Sequence, residues 1–148
     1  MAKYGLIDKN WGGETEMVEI SALKNINIDE LLKKIIVLSD SLKLKADQKS
    51  LDVSGYVIES HIETGIGPIA TVLIMQGILR KNDCIVFNNT WGKVKTITDW
   101  NNNKINEVLP SMPAKISGIK NIVEVGSCFH KSENDKKARD MSSKTKDV

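Results

Sequence analysis

Hydrophobic and polar positions follow two different rhythms along these 148 residues, and the change falls near residue 45. Met17-Val18-Glu19-Ile20 is short and apolar, as expected of a strand, and runs directly into Ser21-Ala22. A helix is predicted next, with Asn27 as N-cap and Glu30 three residues later in a capping-box arrangement that satisfies free amide donors. Ile28, Leu31, Leu32, Ile35, Ile36, Leu38 and Leu42 recur at spacings that cover one broad helical face. Such a face needs a sheet or a second helix against it. With one short strand for company, this helix reads as the last element of an α/β unit whose earlier strands are missing.

From Val53 onward the rhythm becomes short β-rich runs, over 53–61, 69–76, 84–87, 93–98, 114–117 and 127–130. Between them stand Gly65-Ile66-Gly67-Pro68, Arg80-Lys81-Asn82-Asp83, Asn88-Asn89, Asn101-Asn102-Asn103 and Pro110-Ser111-Met112-Pro113. These stretches are rich in residues that tolerate positive φ or fix a turn. No helical pattern interrupts the run, so the expected class is mainly β: a small closed barrel, which hides its strand edges, preceded by the final strand and helix of an α/β domain. The division expected is 1–45, 46–131 and a polar tail over 132–148, helical at its start and frayed or disordered from Met141 to Lys146, where no apolar face exists.

Composition narrows the chemistry. The net charge is only +2 and arginine occurs only at positions 80 and 139, so neither bulk electrostatic capture of nucleic acid nor bidentate reading of guanine edges is well provided for. Local phosphate contact remains. Lys93 and Lys95 alternate with Val94, placing both on one face of a strand while Val94 turns to the core. Arg80-Lys81 occupies a hairpin turn. If the two strands adjoin, Arg80, Lys81, Lys93 and Lys95 form a basic patch able to neutralise phosphates, and a solvated strand face accounts for them equally well. Trp91 and Trp100 flank this strand; stacking on bases is one use for them, and as aromatics near hairpin ends they are expected instead to cap the barrel core.

Other groups carry little chemistry. Cys84 and Cys128 lie far apart in apolar runs without a C-x-x-C motif and are expected to be buried, reduced thiols. His61 and His130 stand alone at strand ends with no ligand spacing, so no metal site is expected. Asp29-Glu30 are first-turn carboxylates that favour the helix dipole. The amino terminus has no apolar signal region, and no run of about 18 apolar residues occurs.

Several segments, in order along almost the whole chain, resemble bacterial and organellar translation initiation factor 2. They are Tyr4-Gly5-Leu6-Ile7 leading to Trp11-Gly12-Gly13-Glu14, then Ser21-Ala22-Leu23 and Leu42-Lys43-Leu44-Lys45-Ala46. Val57-Ile58-Glu59-Ser60, Gly65-x-Gly67-Pro68-x-Ala70-Thr71-Val72-Leu73 and Gly77-x-Leu79-Arg80-Lys81 follow in register. Trp91-Gly92-Lys93-Val94, Pro110-Ser111-Met112-Pro113 and Lys136-Lys137-Ala138-Arg139 complete the series. Two loops depart from the family. Thr64 and Ile66 stand where it usually has lysine and arginine, and the 118–127 loop has Asn121, Val123 and Ser127 where glycine, proline and aspartate are common. Asn121 is expected to replace glycine in a left-handed turn.

The resemblance implies the end of a GTPase domain followed by a barrel similar to the second domain of elongation factors. It implies that Ser21, Ala22 and Leu23 form the last guanine-recognition loop, where a backbone amide meets the base's exocyclic oxygen. It implies contact with small-subunit ribosomal RNA, a relay role between the remaining domains of the same factor, and initiator tRNA as a partner only through C-terminal domains absent here. GTP or GDP with Mg²⁺ belongs to the intact family. This chain has no G-x-x-x-x-G-K-[ST] phosphate cradle, no D-x-x-G, and no N-K-x-D before Met17, so no cofactor and no hydrolysis are expected of it alone. The expected setting is the cytoplasm, or alternatively a mitochondrial or plastid matrix, with no membrane partner. A free-standing barrel that binds proteins, without a translational role, is the alternative function.

Overall fold

The computed structural model describes residues 2–88 and 90–144. The chain forms two compact units, 1–45 and 46–148.

In the first unit, two single 3-10 turns, Ala2–Tyr4 and Lys9–Trp11, precede helix α1 (Ile28–Leu42). The strand expected over 17–20 does not form, because a β-ladder needs a neighbour and the described part of this unit supplies none. Glu16 lies just before that stretch, its carboxylate bridging Lys9 Nζ at 2.5 Å and Lys34 Nζ of α1 at 2.6 Å. These two lysines hold its pKa down to about 2. The predicted capping box is absent. Asn27 does occupy the N-cap position, but its backbone is left-handed (φ 57°) and its side-chain amide donates instead to the Glu19 carbonyl at 2.9 Å. No residue of α1 is buried, and Leu32, Ile35, Ile36, Leu38 and Leu42 are each more than half exposed. The apolar stripe read from the sequence exists and is uncovered.

The second unit is a curled antiparallel sheet of eight strands. They are β1 (Ser54–Glu63), β2 (Gly67–Gln76), β4 (Cys84–Phe87), β5 (Trp91–Lys93), β6 (Ile97–Thr98), β7 (Lys104–Ile105), β9 (Pro113–Ser117) and β10 (Cys128–Ser132). Their order is β5-β4-β10-β1-β2-β9-β6-β7, and a separate two-stranded ribbon pairs β3 (Leu79–Arg80) with β8 (Glu107–Val108). The curl brings the β5 edge onto the chain leaving β9: Gly92 bridges Ile119, Lys93 N–H donates to Gly118 O at 3.2 Å, and Lys95 N–H donates to Ser117 O at 2.9 Å. Glycine is required there, since a Cβ on Gly92 would lie 2.6 Å from both the Gly118 carbonyl oxygen and the Ile119 Cα. Inside the curl, Phe87 and Phe129 pack with ring centroids 5.9 Å apart among Ile74, Leu79, Ile85, Ile97, Ile116 and Val94, all essentially inaccessible.

Three short strands, β3, β7 and β8, escape the sequence pattern because two residues show no alternation. The run predicted over 93–98 is two strands, since the chain turns a corner at Val94–Thr96 and moves from pairing with β4 to pairing with β9. A bulge between Val57 and Glu59 changes the phase of β1, so Ile58 and Glu59 both face outward and Ser60 turns in. Ser60 Oγ then accepts from Val123 N–H at 3.1 Å and donates to Ile69 O at 3.2 Å, fixing the 118–127 loop to the sheet. In that loop the positive-φ positions are Gly118 and Gly126, not Asn121. The expectation for Asn121 is therefore corrected; its amide instead faces the Thr90 hydroxyl at 3.4 Å.

The tail is also corrected. Helix α2 (Asp135–Lys144) starts at Asn134, whose Oδ1 accepts from Lys137 N–H at 2.8 Å, and it continues through Met141–Lys144. Asn89, Thr145 and Lys146 lie outside the described residues. Ala138 is completely buried and Ser142 nearly so, because the helix packs on β4 and β5. This explains why all four residues of β4 are buried: one face lines the core and α2 covers the other.

Candidate nucleic-acid interface

The turn after β3 is built by Asp83. One of its carboxylate oxygens accepts from Arg80 N–H at 2.8 Å, the other pairs with Lys131 Nζ at 2.7 Å, and Asn82 takes the left-handed conformation. Two backbone bonds then clasp the turn to the β5 exit: Asn82 N–H to Val94 O at 2.8 Å and Val94 N–H to Asp83 O at 2.9 Å. The condition set by the sequence, that the Arg80-Lys81 turn adjoin the Lys93–Lys95 strand, is met. Val94 is buried while Lys81, Lys93 and Lys95 are exposed.

Charge in this region is mixed rather than purely basic. Arg80 Nε lies 3.2 Å from Glu107 Oε2 across the β3–β8 ribbon, both groups more than half exposed, and Asp83 sits inside the turn. Lys93 also faces the mouth of the α2 contact. There the Cys84 thiol donates to Asp135 Oδ1 at 2.7 Å. Burial, and then Asp135, push that thiol up to about 11, with Lys93 acting in the opposite direction.

A second basic cluster was not visible in the sequence. Lys120 Nζ stands 4.2 Å and Arg139 Cζ 5.7 Å from the centre of the Trp91 ring. Trp91 is half-buried under these cations and does not cap the core; Trp100, expected to do so, is 62% exposed. The core ends are filled by aliphatic residues and phenylalanines instead. Lys120 and Arg139 are 19 residues apart, and only the docking of α2 brings them to one ring. The available sequence signal was the uninterrupted Cys84-Ile85-Val86-Phe87, which implies cover on both faces of that strand.

In the first unit, residues 21–26 form a tight turn in which Ser21 N–H donates to Ile26 O at 3.2 Å and Ile26 N–H to Ser21 O at 3.0 Å. Ser21 Oγ accepts from Lys24 N–H at 3.3 Å, and Ala22 and Leu23 project outward, Leu23 97% exposed. The glycines of the 63–67 turn have φ of 83° and 96° with open space around them, as turn residues should, and Ile66 at the apex is exposed. His61 Nδ1 is 3.5 Å from Glu59, and no group of His, Cys, Asp or Glu suited to a metal occurs among the described residues. No helix among them is long and apolar enough to cross a membrane.

Comparison with known proteins gives this arrangement a family. The model of elongation factor G domain 2 matches residues 52–132, the curled sheet from β1 to β10. Translation initiation factor IF-2 of Caldanaerobacter subterraneus subsp. tengcongensis is 39% identical over 148 residues, covering all of this chain and 21% of the relative. That of Lacticaseibacillus casei is 43% identical over 141 residues, covering 94% of this chain and 15% of the relative. The chain thus spans about a fifth or less of these relatives' length. Among solved structures, GDP-bound aIF5B from Aeropyrum pernix superposes with a TM-score of 0.69 at 18% identity, over 96% of this chain and 26% of that one. Translation elongation factor SelB from Methanococcus maripaludis gives 0.63 at 17% identity, over 82% and 27% respectively. These share the fold. The chain belongs to the elongation factor G domain 2 family of translational GTPases, and its sequence relatives are translation initiation factor 2.

Proposed function

We propose that this chain is the module of a translation initiation factor that contacts small-subunit ribosomal RNA and relays nucleotide state from a GTPase domain to the initiator-tRNA-binding part. In this reading residues 1–45 are the end of the GTPase domain, and Ser21, Ala22 and Leu23 meet the guanine base. Residues 46–131 are the barrel. The chain alone neither holds nor hydrolyses GTP, because the phosphate- and Mg²⁺-binding motifs are absent from its sequence. The whole factor delivers formylmethionyl initiator tRNA to the small subunit in the cytoplasm, or in an organelle matrix, wherever its ribosomes lie.

The observation that carries the RNA contact is the clasp between the Arg80–Asp83 turn and Val94, which sets Lys81, Lys93 and Lys95 on one edge of the barrel. Arg80 contributes less, being engaged by Glu107. Co-sedimentation with small ribosomal subunits at two salt concentrations is the test. Replacing Arg80, Lys81, Lys93 and Lys95 by Gln should lower the log–log salt slope by roughly 0.7–0.9 for each phosphate that the variant no longer neutralises. An unchanged slope and unchanged binding would remove the RNA role of this patch. Micromolar GTP or GDP binding by the isolated chain would overturn the reading of it as a nucleotide-free relay.

A further inference from the structure

Beside α2 lies an open groove of about 310 Å³ whose wall includes Trp91, Lys120, Asn121, Arg139 and Ser143. Among the described residues, the polar groups that line it are cationic or neutral, with no carboxylate. Lys120 and Arg139 each lie over the same indole, so their charges are no more than about 10 Å apart. Neither takes part in any of the six ion pairs among the described residues, whereas Arg80, Lys131 and Lys137 do. Two cations within that distance repel each other, and the attraction each has for the ring offsets that repulsion. The ring also restrains two otherwise flexible side chains, which lowers the ordering cost of capturing an anion between them.

We propose that this groove binds a phosphate of single-stranded RNA, with Lys120 and Arg139 as the charge-neutralising groups and Trp91 as the platform that holds them. The amide of Asn121 supplies a neutral polar contact at its rim, whereas the Ser143 hydroxyl donates to the Asp140 carbonyl at 2.9 Å and keeps no proton for a phosphate. The groove is open to solvent and, at about 310 Å³, larger than one phosphate needs. The RNA source of the phosphate rests on the translational reading above. The residues are different from Arg80, Lys81, Lys93 and Lys95, so the two ideas fail separately.

The test uses the full chain with Trp11→Phe and Trp100→Phe, leaving Trp91 as the only indole. Its fluorescence is titrated with octauridylate, with AMP and with inorganic phosphate. Saturable quenching by octauridylate is expected, weakening roughly two- to threefold between about 50 and 200 mM salt, as neutralisation of one single-strand phosphate requires. Lys120→Gln with Arg139→Gln should weaken it by at least about tenfold. Lys120→Arg should preserve it, and Lys104→Gln, at an exposed lysine outside the groove and outside the other basic patch, should leave it unchanged. Circular dichroism checks that the helix persists; if the double variant loses α2, Lys120→Gln alone, outside the helix, must still weaken binding several-fold. Absence of saturable quenching, indifference to Lys120→Gln, or equal affinity for free phosphate would each overturn the proposal. Loss of ribosomal-subunit binding in the Arg80, Lys81, Lys93, Lys95 variant with octauridylate quenching intact would confine the site to this groove.

Discussion

Cys84 shows how one residue's chemistry depends on a neighbour 51 positions away along the chain. Its thiol is buried between the sheet and α2 and donates to Asp135, and both effects disfavour the thiolate, raising the pKa to about 11. The folded pKa lies above that of the unfolded thiol. Whatever stability this gives is complete below about pH 9 and is lost as pH rises towards 11. Alkylation of Cys84 by iodoacetamide, followed by peptide mass spectrometry, should therefore stay slow at pH 8 and accelerate only near pH 11. Asp135→Asn should move the onset to lower pH without restoring an ordinary thiol, because burial is the larger cause. Rapid labelling of the native protein at pH 8 would contradict this burial. That Cys84 is buried was legible from its apolar run, whereas its partner was not, and Cys128, expected to be buried as well, is only partly so.

Among the elements, α2 departs most from its sequence. Polar composition predicts a solvated or frayed segment, yet a helix needs only a narrow stripe to dock, and Ala138 and Ser142, four residues apart, supply one. Small residues let the helix axis approach β4 and β5 closely. Ala138→Leu should overpack this contact at a cost of about 1–3 kcal/mol and detach the helix locally. Hydrogen exchange should then show reduced protection of α2 and of β4, whereas Lys136→Leu on the exposed side should leave both unchanged. Helix α1 presents the opposite case. Its amphipathic stripe was fully legible, but its capping was misread, because Asn27 uses its side chain to tie down the preceding Glu19 carbonyl instead of a helical amide.

For the molecule as a whole, stability resides in the second unit. No described residue of the first unit is buried, while the curled sheet encloses a continuous core from Val53 to Phe129. Removal of residues 1–45 should therefore shift the thermal midpoint of the remaining chain by less than about 4 °C. Limited proteolysis should cut within 1–45 long before the barrel. A large drop in the midpoint on truncation, measured by calorimetry, would show that the first unit contributes a core of its own to stability.

Local pattern was enough to establish the mainly β class, the positions of the longer strands, the amphipathic helix before them and the family to which the chain belongs. Alternation, turn residues and ordered short motifs are local properties, and each can be read within a window of about ten residues. The β1 bulge, the corner at Val94–Thr96, the pairing of Arg80 with Glu107 and the meeting of Lys120 and Arg139 over Trp91 arise in the folded chain alone. Those depend on which distant segments the closing sheet and the docked helix bring together, and no local pattern encodes that choice.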